Sequence, residues 1–371
     1  MKNVLIISKY FYPYESGSEK TTRYIIDYLA EKNFKVTLFC ARGSSEKLNS
    51  KASFVSLEKN KLYLFLSKKK FVKEFADIIF GFGALFLIMR KERFDSVNIH
   101  YAQSIGLSAV VLSKLFLTKS VVLWPTSSLC HSKLTDGKIQ FITEKTYSFL
   151  ADAFLAKGMP SQQMRKYFRV RKEKLFETVN PVEQKDYDPG ACDFQAKILG
   201  VYYLGKYNGF KRPDILIRAL ELLKPEERGA LRVSLYGNGY YEPLIRKMVK
   251  NLGLEGTVNI NPPTKDVKGV IRDNHVFVYP SPYEPAFSQS ILESLVGGRA
   301  VVCRNTAGIR KYFKDDSIIG VMPMNEKNLA DKLSWIIKNR KMTEEIALNG
   351  KKIISLTFTF ENFMNQYVKH I

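Results

Sequence analysis

"KILGVYYLGKYNGFKRPDILIRALELL" occupies residues 197–223, and how it is read decides the fold. "KILGVYYLG" reads as a strand ending at Gly205, and "RPDILIRALELL" as a helix opening near Pro213. Strand, loop and helix in that order form the repeating unit of a parallel sheet. Downstream the alternation continues with strands at "LRVSLYG" (231–237), "TVNINP" (257–262), "HVFVYPS" (275–281) and "AVVCRN" (300–305), and helices at "YEPLIRKMVKNLG" (241–253) and "SQSILESLVGG" (288–298). Upstream, "NVLIIS" (3–8) is an apolar run without alternation, as expected of a strand covered on both faces. "SGSEKTTRYIIDYLAEKN" (16–33) follows as a helix, with Ser16 and Glu19 at capping-box spacing, and then come strands at "FKVTLFCA" (34–41), "SVNIHY" (96–101), "SVVLWP" (120–125) and "AFLAKG" (153–158).

The expected fold is therefore α/β, with two Rossmann-like doubly wound parallel sheets in tandem and a ligand cleft beyond the carboxyl ends of their strands. Residues 180–197, "NPVEQKDYDPGACDFQAK", are polar, aperiodic and hold Pro and Gly, which marks a linker. This sets the expected domains at 1–188 and 189–357, with 358–371 crossing back onto the first.

A chain of 371 residues, 45% of them hydrophobic, is long and apolar enough for two cores. Its 58 Lys and Arg against 36 Asp and Glu leave +22, which calls for an anionic partner: nucleic acid, an acidic membrane face or phosphorylated substrates. Cys40, Cys130, Cys192 and Cys303 are scattered, so neither a zinc site nor a disulfide framework is indicated. The N-terminus "MKNVLIISKYFYP" has an apolar run too short for a signal peptide, and the expected location is the cytoplasm.

The segment 59–94 mixes Lys68, Lys69, Lys70 and Lys73 with an apolar run from Phe75 to Met89 that contains Asp77. Fifteen residues do not span a bilayer, which needs about 20. Two readings stand: a helix covering the first sheet beside a solvated basic loop, and a basic aromatic surface resting on an anionic leaflet.

In the second lobe, Lys206 and Lys211 lie in the loop between strand and helix, where two ammonium groups suit a leaving diphosphate without a metal; solvated loop charges are the plainer reading. "LYGNG" (235–239) turns sharply after a strand, and Gly237 and Gly239 permit close backbone approach by a ligand. "VYPSPYEPAFSQSILESLVGGRAVV" (278–302) carries Glu284 in a loop, held off the helix by Pro282 and Pro285, and Glu293 in the following helix. Ser290 and Glu293 have capping-box spacing, which would make Glu293 a structural residue; in the other reading both carboxylates converge on a sugar or ribose, with helical N–H groups between them available to phosphate.

With these motifs the chain resembles the retaining, nucleotide-sugar-dependent glycosyltransferases of family 4, which have the GT-B fold and include enzymes of lipopolysaccharide and capsule synthesis. "FYPYESGSEKTTRYIIDYLAEKNFKVTLF" is similar to the family's glycine loop, here Gly17, and first helix. "LGKYNGFKRPDILIRAL" is similar to its phosphate segment, with Gly205 followed by Lys206, where the family has Arg, and by Lys211. "LYGNG", with Gly237 and Asn238, resembles the turn near the nucleotide, and "YPSPYEPAFSQSILESLVGGRAVV" the paired-glutamate motif, although eight residues separate Glu284 from Glu293 where the family has seven.

The resemblance implies that Glu293 binds ribose and Glu284 faces the donor sugar. It also implies that the backbone from Phe287 through Ser288, Gln289, Ser290 and Ile291 approaches sugar and phosphates. Many members have a histidine after the strand matching "SVVLWP"; this chain has Thr126, Ser127 and Ser128, with His131 later and His100 on the preceding strand as a candidate to line the cleft. A structural His100 is the plainer reading.

By the resemblance the enzyme is a hexosyltransferase that needs no metal, and "DYD" (186–188) is not expected to bind one. Its donor is a nucleotide-diphosphate sugar, and its acceptor a lipid-linked oligosaccharide or a lipopolysaccharide or capsule glycan. It works from the cytoplasm, peripheral on the inner face of the plasma membrane, with no nucleic-acid partner. Two alternatives remain: a sugar-nucleotide epimerase of the same fold, and a non-catalytic basic nucleic-acid-binding protein.

Overall fold

The computed structural model describes residues 1–14, 17–69, 72–100, 104–124, 145–157, 165, 169–283 and 287–371. These form two compact units, Met1–Val179 with Phe363–Ile371, and Asn180–Asn362.

Strands of the first unit are β1 (Asn3–Tyr10), β2 (Lys35–Arg42), β3 (Ser53–Ser56), β4 (Ser96–His100), β5 (Lys119–Trp124), β6 (Ala153–Lys157) and β7 (Leu175–Thr178). They pair in parallel in the order β3-β2-β1-β4-β5-β6-β7. Helices α1 (Gly17–Glu31), α2 (Lys61–Ser67), α3 (Lys73–Lys91) and α4 (Ser104–Leu115) accompany them. Leu5, Ile7, Val97, Ile99 and Phe154 of the sheet pack with Leu85 and Met89 of α3 and Ile105 and Leu112 of α4 in one core.

The second unit holds β8 (Leu199–Leu204), β9 (Leu231–Tyr236), β10 (Val258–Asn261), β11 (Val276–Tyr279), β12 (Ala300–Arg304) and β13 (Ile319–Val321), parallel in the order β10-β9-β8-β11-β12-β13. Its helices are α5 (Gln184–Tyr187), α6 (Pro213–Glu221), α7 (Pro225–Gly229), α8 (Glu242–Asn251), α9 (Val267–Arg272), α10 (Gln289–Val296), α11 (Ala307–Tyr312), α12 (Glu326–Lys338) and α13 (Arg340–Thr357). The chain then enters α14 (Phe360–Tyr367).

Both sheets fit the two Rossmann-like domains expected of a GT-B chain. In each, the strand order reverses once, between β1 and β4 and between β8 and β11, and such reversals open a crevice at the carboxyl ends.

The polar run 180–197 is not a linker. Val182, Tyr187 and Phe194 are buried in it, Val182 N donates to the Phe358 carbonyl at 3.1 Å, and Gln184 Nε2 donates to the Ser355 carbonyl at 2.9 Å. Apolar anchors spaced too far apart to show a period fasten the run to the second unit. The capping serine expected at Ser16 lies outside the described residues.

Arg299, fully buried immediately before β12, has its guanidinium met by carbonyl groups. Its Nε donates to the Ile271 carbonyl at 2.7 Å and Nη1 to the Gly297 carbonyl at 2.5 Å, with longer bonds to Gly190 and Arg272. Helices α9 and α10 therefore end on one guanidinium, whose charge suits the negative ends of both.

Candidate functional site

The site is built at the β8/β11 reversal of the second unit. The β8 strand ends at Leu204, and the loop 205–212 is shaped by Asn208, whose Oδ1 accepts from the backbone N–H groups of Phe210 (3.1 Å) and Lys211 (2.9 Å). Arg212 closes the loop with a left-handed φ of 49°, immediately before Pro213 starts α6. The Arg212 guanidinium bonds Asp214 through two nitrogens, at 2.9 and 2.7 Å.

Lys211 behaves differently. Its Nζ meets the Tyr279 hydroxyl and lies 4.9 Å over the Tyr279 ring. Tyr279 ends β11, and its side chain is on the face away from α6: Val276 and Val278 pack in the α6 core, while Phe277 rests against Tyr202 (5.1 Å) and Tyr279 (6.2 Å). That second face is covered by α10, and the Tyr202 phenol lies in the negative field of Glu293. Lys211 thus leans over the carboxyl edge of the sheet toward the α10 side. Ser281 Oγ donates to the Phe210 carbonyl at 2.7 Å and Phe210 meets Tyr283 ring to ring at 5.6 Å, so the loops after β8 and β11 are tied to each other.

At α10, the sequence reading of the cap is corrected. Ser288 is the N-cap, accepting from Ile291 N at 3.4 Å, and Ser290 already lies inside the helix. Glu293 is therefore a second-turn residue, too far along to reach back to the cap as a capping-box glutamate does. Only 7% of it is exposed. The side chain of Phe287 is buried among Tyr312, Phe313 and Phe358, at centroid distances of 6.0, 5.5 and 5.1 Å. Those rings pin the start of α10, so Phe287 offers a ligand only its backbone, while Ser288, Gln289 and Ser290 stay half-exposed. Gln289 and Ile291 belong to the same first turn, whose N–H groups and positive dipole end favour an anion. Glu284 lies outside the described residues.

The glycine turn serves the protein before any ligand. A Cβ on Gly237 would stand 1.9 Å from the Gly205 carbonyl oxygen, and one on Gly239, at φ 150°, 2.3 Å from that of Tyr207. Tyr207 N donates to the carbonyl of Asn238 at 2.8 Å, and Tyr241 N to that of Tyr207 at 3.1 Å. The turn is thereby fastened to the Lys206 loop, while Asn238 and Lys206 themselves are exposed. Gly237→Ala should lower the melting temperature and, by displacing the loop, the response to ligand. Overpacking of this kind takes about 1–3 kcal/mol. Gly256→Ala, where a Cβ meets nothing within 4 Å, is the matched control and should leave both unchanged.

His100 is withdrawn as a candidate catalytic residue. It is wholly buried, with Nδ1 3.2 Å from Thr22 Oγ1 and Nε2 2.8 Å from the Tyr367 hydroxyl, and fastens α14 to the first sheet. Thr126, Ser127, Ser128, His131 and Lys70 lie outside the described residues, and Gly17 opens α1. Asp188 of the "DYD" stretch pairs with Lys351 at 2.8 Å. Lys68 and Lys69 are exposed, but Lys73 is half-buried, its Nζ 3.2 Å from the Tyr10 hydroxyl, which takes it out of the surface group.

A buried network in the first unit was missed. At the end of β1, Lys9 Nζ lies 3.1 Å from Glu74 and 3.1 Å from Asp77; Asp77 also accepts from Tyr63 Oη (2.8 Å) and Ser104 Oγ (3.0 Å). Burial by itself would push the Lys9 pKa down, but the Asp77 and Glu74 carboxylates outweigh it and hold it above its ordinary value. The visible signal was an aspartate inside an apolar helix.

Family models match the chain in two segments: residues 15–143 as "Glycosyl transferase 4-like" and residues 196–353 as "Glycosyl transferases group 1", between them most of its length. No curated protein sequence matches it. Among solved structures, Anabaena HepE in complex with UDP is similar at 15% identity and TM-score 0.78, covering 100% of this chain and 99% of its own. Sucrose-phosphate synthase of Thermosynechococcus elongatus is similar at 16% and 0.78, covering 100% and 98%. WaaG, a glycosyltransferase involved in lipopolysaccharide biosynthesis, follows at 12% and 0.73, covering 98% of both chains. At these identities the likeness shows the fold.

Proposed function

We propose, on the premise that this chain belongs to the group 1 glycosyltransferases, that it transfers a sugar from a nucleoside diphosphate sugar, with retention, to a lipid-linked or lipopolysaccharide-type glycan. The observation that carries this reading is Lys211, drawn over the carboxyl edge of the sheet to Tyr279, on the side where α10 presents its N-terminus and Glu293. An ammonium and a helix N-terminus suit a diphosphate; a largely buried carboxylate one turn deeper suits the ribose hydroxyls. Similar structures hold UDP and UDP-glucose, which fits such a donor.

In this mechanism the anomeric C–O bond to the diphosphate breaks as the acceptor hydroxyl approaches from the same face. Lys206 and Lys211 offset the charge that develops on the departing oxygen, and that oxygen takes the acceptor's proton. The protein's own cations do the work that a metal does elsewhere, so chelation of divalent ions should leave turnover unchanged. The acceptor reading adds peripheral attachment to the inner face of the plasma membrane; among the described residues no helix is long and apolar enough to cross one.

Thermal denaturation with UDP, GDP, dTDP and ADP tests the donor site. One of them at a hundredfold excess over its Kd should add about 2.7 kcal/mol, or roughly 5–10 °C for a unit of this size. Glu293→Ala should remove most of that shift. A flat response to all four, or an equal shift in the variant, overturns the assignment.

A further inference from the structure

We propose that the outer face of α3, with the adjoining α2, seats the first unit on an anionic lipid surface. This gives a place to the membrane-associated acceptor read above and rests on that reading for its purpose, though its test is separate. Val72, Phe75, Ile79 and Phe82 follow one another at helical spacing of three, four and three, so all four fall on one face. They are exposed, Phe75 to 55% and Ile79 to 66%. The opposite face, with Ala76, Asp77, Gly81, Leu85 and Met89, is buried.

Helix α2 packs beside α3 and adds exposed Leu62 and Phe65. Lys61, Lys68 and Lys69 are exposed on or next to α2, with Lys69 Nζ 4.7 Å over the Phe65 ring. An apolar stripe beside lysines, on a chain of net charge +22, is complementary to an anionic leaflet and repels a second copy of itself. The stripe would lie in the interface plane, apolar side chains toward the acyl chains and lysines at the headgroups. Because α3 is held from within by its Asp77 and Glu74 bonds to Lys9, its outer face can be changed without loosening the helix.

Flotation of the full chain with vesicles provides the test. Wild type should float with phosphatidylglycerol-containing vesicles and not with neutral phosphatidylcholine, less so at high salt. Phe75→Asp with Ile79→Asp should lower the bound-to-free ratio at least tenfold, and Lys68→Glu with Lys69→Glu by roughly fivefold for each lysine. Should the aspartates lower the melting temperature, Phe75→Ser with Ile79→Ser serves instead. Failure of wild type to float, unchanged flotation of both sets, or a concentration-dependent dimer that the substitutions abolish overturns the proposal. The nucleotide-induced thermal shift separates the two readings: a wild type that does not float but keeps the shift sinks the docking face alone, and a wild type that floats but shows no shift sinks the donor assignment alone.

Discussion

With Lys211 changed to alanine, kcat on a nucleoside diphosphate sugar donor is expected to fall by roughly 10²–10³-fold, while KM should change far less. Removing one preorganised group that meets developing charge takes about 2.7–4 kcal/mol from the transition state, and the loss shows in kcat because the extra charge appears only as the bond breaks. Lys211 is the better placed of the two loop lysines: Asn208 fixes its backbone and Tyr279 its ammonium. Lys206 is exposed, where water screens it, so Lys206→Ala should give the smaller effect. Steady-state kinetics of the two variants decide this, with melting temperature as the check on folding. A fall under fivefold for Lys211→Ala would remove leaving-group neutralisation from the mechanism.

The same loop shows how far the sequence could be read. Strand β8, its loop and α6 were legible because a continuous apolar run followed by helix-start signals has one economical interpretation, and so were the central strands of both sheets. Of the four outermost strands only β10 was legible; "SFVS" in β3, "LFET" in β7 and "IGV" in β13 were not. Each is three or four residues long and borders its sheet, where one row of backbone groups faces outward and side chains need not be apolar on both faces. In three or four residues a period cannot establish itself, and in β3 and β7 hydrophobicity is weak as well.

Site residues divide along a similar line. Lys206, Lys211, the glycine turn and Glu293 stand as candidates on chemistry, spacing and the family resemblance, since each sits beside a strong local signal. Their roles were less readable. Gly237 looked like room for a ligand and turned out to face the Gly205 carbonyl, and Glu293 looked like half of a cap until Ser288 took that place. Tyr279 gave no sign of its part, because its contact with Lys211 joins residues 68 positions apart. His100 failed as a catalytic candidate for a related reason: the strand end that suggested a cleft lies beneath α14, whose Tyr367 is 267 residues away.

Asp77→Ala should lower the stability of the first unit by about 3–5 kcal/mol, the usual effect of breaking a buried charge pair from one side. Asp77 is wholly buried and accepts from Tyr63 and Ser104 while facing Lys9, which is itself only 5% exposed. Alanine takes from that ammonium the more deeply buried of its two carboxylates, Asp77 rather than Glu74, and strips two hydroxyls of an acceptor. In thermal unfolding the change corresponds to roughly 6–20 °C for a unit of this length. Adding Lys9→Met should recover a good part of the loss, since removing both charges also removes their desolvation, and the non-additivity of the pair measures the coupling. A double variant as unstable as the sum of its two single variants would show that Lys9 and Asp77 act separately, and that α3 is held to β1 by its apolar face rather than by this pair.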